Sequence, residues 1–279
     1  LSLNLNLANG YAGGLAPLPQ TIMISVTRDA ALYASASVTP IPSGGGYFYS
    51  AWLGPTEWYS WYPEAGDMLW VKQGANTISM TVPTLTAFAE TKTDTVYGGA
   101  PENAALTIFV YPFDDAGNVY TSTAMAGGDG AYTGSFADLH PRDSGYVLYT
   151  QGANSRAFIP YVAPFLRAQV NGYSVSGMAK PYSSVFITVT NSSGEFMDWL
   201  DASTGTDGFF EVRDYNEGDP LLLLESGYQL LASAAGQTFS MTVQNVSVHA
   251  DKTDSLVWGD TAPNAPVKIS RFAGPLQFY

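Results

Sequence analysis

Four turns of one kind punctuate the 279 residues at nearly even intervals, and an alternating apolar segment follows each. The first reads Gly13-Gly14-Leu15-Ala16-Pro17, then Ile22, Ile24 and Val26. The second reads Gly98-Gly99-Ala100-Pro101, then Leu106, Ile108 and Val110. The third is Gly177-Met178-Ala179-Lys180-Pro181, then Val185, Ile187 and Val189. The fourth is Gly259-Asp260-Thr261-Ala262-Pro263, then Val267 and Ile269. Their prolines stand at positions 17, 101, 181 and 263, which are 84, 80 and 82 residues apart. Self-similarity at a fixed period marks a tandem array, because each unit is one module packed beside the next. The expected domains are therefore residues 1–83, 84–164 and 165–243, with a partial fourth copy at 244–279.

Further features recur in order. Each copy opens on a short alternating strand, such as Leu3, Leu5 and Leu7, or Leu85, Ala87 and Ala89. Midway comes a glycine beside aromatics: Gly46-Tyr47-Phe48, Gly130-Ala131-Tyr132 and Gly208-Phe209-Phe210. A later turn is read at Gly66-Asp67, at Gly145 and at Gly218-Asp219, with Ser226-Gly227 as a turn between two strands. Each copy closes on a strand, with Ser-Met-Thr-Val shared by residues 79–82 and 240–243. Apolar residues alternate throughout, and no long stretch carries the 3.6-residue spacing of a helix. The expected class is all-β, each unit a small antiparallel sandwich.

These features resemble bacterial and archaeal Ig-like domains, including the carboxypeptidase-regulatory-like kind. The likeness rests on the Ala179-Lys180-Pro181 turn before Val185–Val189, the Asp207-Gly208-Phe209 turn, and Gly218-Asp219 before the next strand. It implies stalks, surface layers, adhesins or fibres, and it carries over no catalytic residue. The first copy departs from the pattern, with Gly44-Gly45-Gly46 in place of the Asp-Gly turn.

A formal charge of −13, from 24 acidic and 11 basic residues, argues against nucleic acid as a partner. No apolar run is long enough to span a bilayer, and no basic amphipathic helix suits its surface, so membrane insertion is not expected. Cysteine is absent, which fits a bacterial or archaeal surface sandwich better than a small disulfide-stapled one. The chain lacks a signal peptide and an initiator methionine, and reads as processed or as a fragment.

Catalytic constellations are not legible. The two histidines, His140 and His249, fall in different copies, so no oriented nucleophile and base can be named. Calcium is the one cofactor with a candidate loop: Asp114, Asp115 and Asn118 gather oxygens, and Asp198, Asp201 and Asp207 form a second acidic stretch. Turn capping explains the same residue types equally well. Asn191 and Asn245 sit in glycosylation triplets.

The reading that follows is a secreted, non-enzymatic structural subunit of an extracellular filament or surface array. Its partners would be copies of itself, joined head to tail by strand addition. The expected contact residues are Leu1, Leu3, Leu5 and Leu7 at one end and Val267, Ile269, Phe272 and Phe278 at the other. Trp58 and Trp61 would be lateral anchors. The alternative is a surface adhesin or carbohydrate-binding module that uses the aromatics between Tyr47 and Trp70, four of the six tryptophans among them.

Overall fold

The computed structural model describes residues 1–53, 62–115, 117–168, 172, 174–213, 222–244, 249–251 and 256–258. Among them every regular element is a strand, so the chain is all-β.

The first repeat forms β1 (Leu3–Asn6), β2 (Tyr11–Ala16), β3 (Ile22–Arg28), β4 (Ala31–Val38), β5 (Ile41–Ser43), β6 (Gly46–Trp52), β7 (Met68–Gln73) and β8 (Asn76–Thr81). The second forms β9 (Phe88–Glu90), β10 (Thr95–Gly99), β11 (Ala105–Tyr111), β12 (Tyr120–Met125), β13 (Ala131–Ser135), β14 (Ser144–Gln151) and β15 (Ser155–Val162). The third forms β16 (Phe165–Ala168), β17 (Ser174–Met178), β18 (Ser184–Thr190), β19 (Phe196–Ser203), β20 (Phe209–Arg213), β21 (Gln229–Ala234) and β22 (Gln237–Thr242). A short pair, β23 (His249–Asp251) and β24 (Leu256–Trp258), comes last.

One pairing scheme occurs three times. Its four-stranded sheet is β4-β3-β7-β8, then β12-β11-β14-β15, then β19-β18-β21-β22. Its three-stranded partner is β6-β2-β1, then β13-β10-β9, then β20-β17-β16. The alternating apolar positions explain the cores. Ile22, Ile24 and Val26 on β3 face Leu69 and Val71 on β7 and Leu3 and Leu5 on β1, all fully buried. Leu106, Ile108 and Val110 on β11 pack with Val96, Tyr132 and Val147 in the second core. Each such aliphatic side chain contributes about 1.5–3 kcal/mol on burial.

The turn before the penultimate strand of each repeat is also built three times. Gly66 donates its N–H to Val82 and Gly227 to Val243, at 2.9 and 2.8 Å. The carbonyls of Asp67, Asp143 and Tyr228 each accept at 2.7 Å, from Val82, Ala163 and Val243. This corrects one turn assignment, since the second-copy turn is His140–Asp143 rather than Gly145, and it places a turn at Ser226-Gly227 as read from the sequence. Residues 218 and 219 lie outside the described residues. The recurring element is a backbone hairpin closure, which a Gly-Asp match in the letters does not require.

A second recurrence is a close approach over glycine. Tyr49 Oη donates to the Ser2 carbonyl and Tyr132 Oη to the Thr86 carbonyl, both at 2.6 Å. A Cβ at Gly14 or Gly98 would overlap those same carbonyl oxygens. In the third repeat Gly177 lies likewise against the Phe165 carbonyl, and a phenylalanine, Phe210, takes the tyrosine's place.

The first two repeats share a sheet. β1 pairs antiparallel with β2 and parallel with β15, with Leu3 opposite Ser155 and Asn6 opposite Phe158. Leu3 donates to Asn154 at 2.8 Å and Leu7 to Phe158 at 2.9 Å. The result is one continuous sheet of eight strands, β12-β11-β14-β15-β1-β2-β6-β5.

Candidate functional site

The eight-stranded sheet has two chemically distinct faces. One carries Leu3, Leu5, Tyr49, Ala157, Val147 and Ile108 into the two cores. The other faces outward, and the strand register sets a row of side chains across it. Trp52 stands opposite Tyr11, Tyr11 opposite Asn6, Asn6 opposite Phe158, Phe158 opposite Leu148, Leu148 opposite Thr107, and Thr107 opposite Thr123. Two clusters of rings form there. The Tyr11 and Trp52 rings are 5.1 Å apart, tilted by 59°. Phe109 stacks on Tyr146 at 4.6 Å, and Phe158 meets Tyr146 edge-on at 5.6 Å. Burial first, and then a hydrogen bond with Tyr111, push the Tyr146 phenol up to about 12. Trp52 remains 60% exposed and Leu15 57%.

Charge is segregated with the same sharpness. None of these eight strands contains Asp or Glu, and Arg156 is their one charged residue. All 24 acidic residues of the chain therefore lie elsewhere. Period-2 alternation puts apolar residues on the buried face, but it does not explain why the outer face is aromatic and free of carboxylate.

A separate cavity of about 560 Å³ opens in the second repeat, lined by Asp114, Asp115, Tyr120, Phe136, Asp138 and His140 among others. Its carboxylates are partly committed to the fold. Asp143 accepts the N–H groups of Phe113 and His140 at 2.8 Å each and is 2% exposed. Asn118 donates its side-chain amide to Asp115 at 2.5 Å. His140 Nε2 lies 3.4 Å from Asp138. Among the described residues no group of three or more His, Cys, Asp or Glu is placed to hold a metal ion. Asp198 and Asp201 sit on β19 rather than in a loop, and Asp207 caps its turn through the N–H of Phe209.

The expected contact residues separate into two groups. Leu3 and Leu5 are fully buried, with Leu1 and Leu7 packed against the same core. This corrects their assignment as a surface for another subunit: the chain's own second repeat already takes the free edge of β1. Trp58, Trp61, Val267, Ile269, Phe272 and Phe278 lie outside the described residues, as does Asn245. Asn191 is described, and its side-chain oxygen accepts from the Ser193 N–H, the Ser193 hydroxyl and the Glu195 N–H. Of the first-repeat aromatics, Trp52 is exposed on the outer face, and residue composition alone did not set it apart from its neighbours. The signal that identifies it is parity along β6: Tyr49 and Ala51 are buried, and Trp52 is on the opposite face.

No family model matches the chain, and no curated protein matches it. Among solved structures it is similar to a tetra-tandem repeat in the extending region of a large adhesion protein. That pair is 16% identical and covers 93% of this chain and 80% of the other, with a TM-score of 0.22. The BSP domain of a biofilm-associated protein is 14% identical over 85% of this chain and 60% of its own, with a TM-score of 0.23. A Group B Streptococcus pullulanase is 10% identical over 60% of this chain and 24% of its own, also with a TM-score of 0.23. Likenesses at this level do not bear on activity, partner or location.

Proposed function

We propose that the chain is a non-enzymatic structural segment of an extracellular surface protein, an array of Ig-like repeats of which the first two are fastened by strand pairing. The observation that supports this is the parallel β1–β15 pairing, which makes one sheet of two repeats. A flexible linker leaves adjacent domains free to rotate, whereas shared backbone hydrogen bonds resist both bending and separation. An acidic, cysteine-free chain rich in alternating strands suits such a scaffold outside the cell.

Head-to-tail assembly between copies is the finer form of this reading. Strand pairing between the first two repeats inside the chain supplies the precedent for strand addition between chains. With Leu3 and Leu5 spent in the core, the donor would be residues 244–279. Negative-stain electron microscopy of the native material, together with antibody labelling of intact cells, tests both levels. Labelling without permeabilisation, and filaments lost on deletion of residues 244–279, are expected. Labelling only after permeabilisation contradicts the surface role, and filaments that survive the deletion contradict the assembly mode.

A further inference from the structure

We propose that the outer face of the eight-stranded sheet docks an extended, uncharged polysaccharide strand. The inference is independent of the array reading, since it concerns what the sheet presents and not how repeats are joined.

Three observations select this occupant. The first is ring placement. Tyr11 and Trp52 form one cluster, and Phe158, Tyr146 and Phe109 form another. Between Tyr11 and Phe158 runs β1, which contributes Asn6 to the row and Asn4 two residues away on the same face. Tyr11 and Phe158 are thus two strand spacings apart, roughly 10 Å, a separation on the scale of a disaccharide unit. The C–H faces of a sugar ring pack on the negative face of an aromatic ring, while its hydroxyls look for amide and hydroxyl partners.

The second is the mixed chemistry of the row. Asn6 separates two apolar pairs, Trp52 and Tyr11 on one side and Phe158 and Leu148 on the other, and Thr107 and Thr123 follow Leu148 at the end. The core of a protein interface favours a closed patch of large apolar side chains ringed by polar ones. A face that sets hydrogen-bonding side chains between and beside stacking platforms suits a ligand that itself combines apolar faces and hydroxyls.

The third is charge. The face carries Arg156 and no carboxylate, on a chain of net −13. An anionic glycan is repelled by the surrounding chain. A neutral glycan meets no such penalty. The row crosses seven strands, roughly 29 Å at about 4.8 Å per strand, which accommodates several sugar rings.

The test is affinity electrophoresis and titration calorimetry of the full chain. The neutral probes are hydroxyethylcellulose, laminarin and mannan, the anionic probe is polygalacturonate, and sedimentation velocity without glycan runs in parallel. The expected result is binding to at least one neutral probe and none to polygalacturonate. Trp52→Ala should weaken that binding by tenfold or more, with Trp52→Phe restoring part of it. Trp70→Ala, on β7 of the other sheet, should leave it unchanged. Unaltered thermal melting of each variant separates lost binding from lost folding. Failure to bind any neutral probe overturns the proposal, as does binding that Trp52→Ala leaves intact. Self-association without glycan that Trp52→Ala abolishes also overturns it, because the face would then be a protein interface.

Discussion

Alkaline pH should unfold the first two repeats through three phenols. Tyr49, Tyr132 and Tyr161 are 1%, 4% and 6% exposed, and burial raises the pKa of each well above the ordinary value. Each hydroxyl donates to a backbone carbonyl, that of Ser2, Thr86 or Phe109 respectively. In the unfolded chain these phenols ionise near pH 10. Above that pH the unfolded state has released protons that the folded state still holds, so stability falls as pH rises. Below it the contribution is fully present. Each phenol takes away about 1.4 kcal/mol per pH unit, so three in one cooperative unit remove about 4 kcal/mol per unit.

Urea titrations at a series of pH values, followed by tryptophan fluorescence, measure that slope. Tyr49→Phe should cost about 1–2 kcal/mol at neutral pH, because the Ser2 carbonyl loses its donor. It should also flatten the alkaline slope by about 1.4 kcal/mol per pH unit. If β1 binds the two repeats into one folding unit, a single transition carries the whole slope. Two transitions with separate slopes would mean that they unfold independently. Phenols that titrate near pH 10 in the folded chain, seen by tyrosinate absorbance, would refute the reasoning.

Two further outcomes follow from the glycine contact. Gly98→Ala should destabilise the second repeat by several kcal/mol, on the scale of other severe steric changes, because its Cβ meets backbone rather than a movable side chain; urea midpoints measure it, and a change under about 0.5 kcal/mol argues against the contact. Phe210→Tyr should stabilise the third repeat by about 1 kcal/mol, since the new hydroxyl would extend toward the Phe165 carbonyl as Tyr49 and Tyr132 do in their repeats. A neutral or lower melting temperature for that variant would count against the equivalence of the three sites.

Much of the strand pattern was legible because period-2 alternation is a local property. Ile22, Ile24 and Val26, with their counterparts on β11 and β18, could be read straight from the letters as buried. The closing strands were legible for the same reason. The choice of partner was not. β1 looks the same whether its second edge meets solvent, another chain or β15, since its alternation records which face is buried and is silent on which strand lies beside it. The three-fold turn was misplaced in the second copy because hairpin closure is a matter of backbone hydrogen bonds, indifferent to whether Asp67, Asp143 or Tyr228 supplies the carbonyl. The glycine contact left a faint trace: Ser2 and Gly14, Thr86 and Gly98, and Phe165 and Gly177 are each twelve residues apart. The outer face was hidden for another reason. Its rings come from separate strands of two repeats, and only the register brings Tyr11 and Trp52 to the same row as Phe158.

The claim that the first two repeats are fastened by strand pairing rests on hydrogen bonds that point from β1 to β15. Amide hydrogen exchange at Leu3 and Leu7 reads them directly, because their N–H groups donate to Asn154 and Phe158. The account predicts that both exchange as slowly as the paired amides between β2 and β6. Fast exchange at Leu3 and Leu7, while the β2–β6 amides stay protected, would mean that the shared sheet does not hold and that the repeats are separate domains.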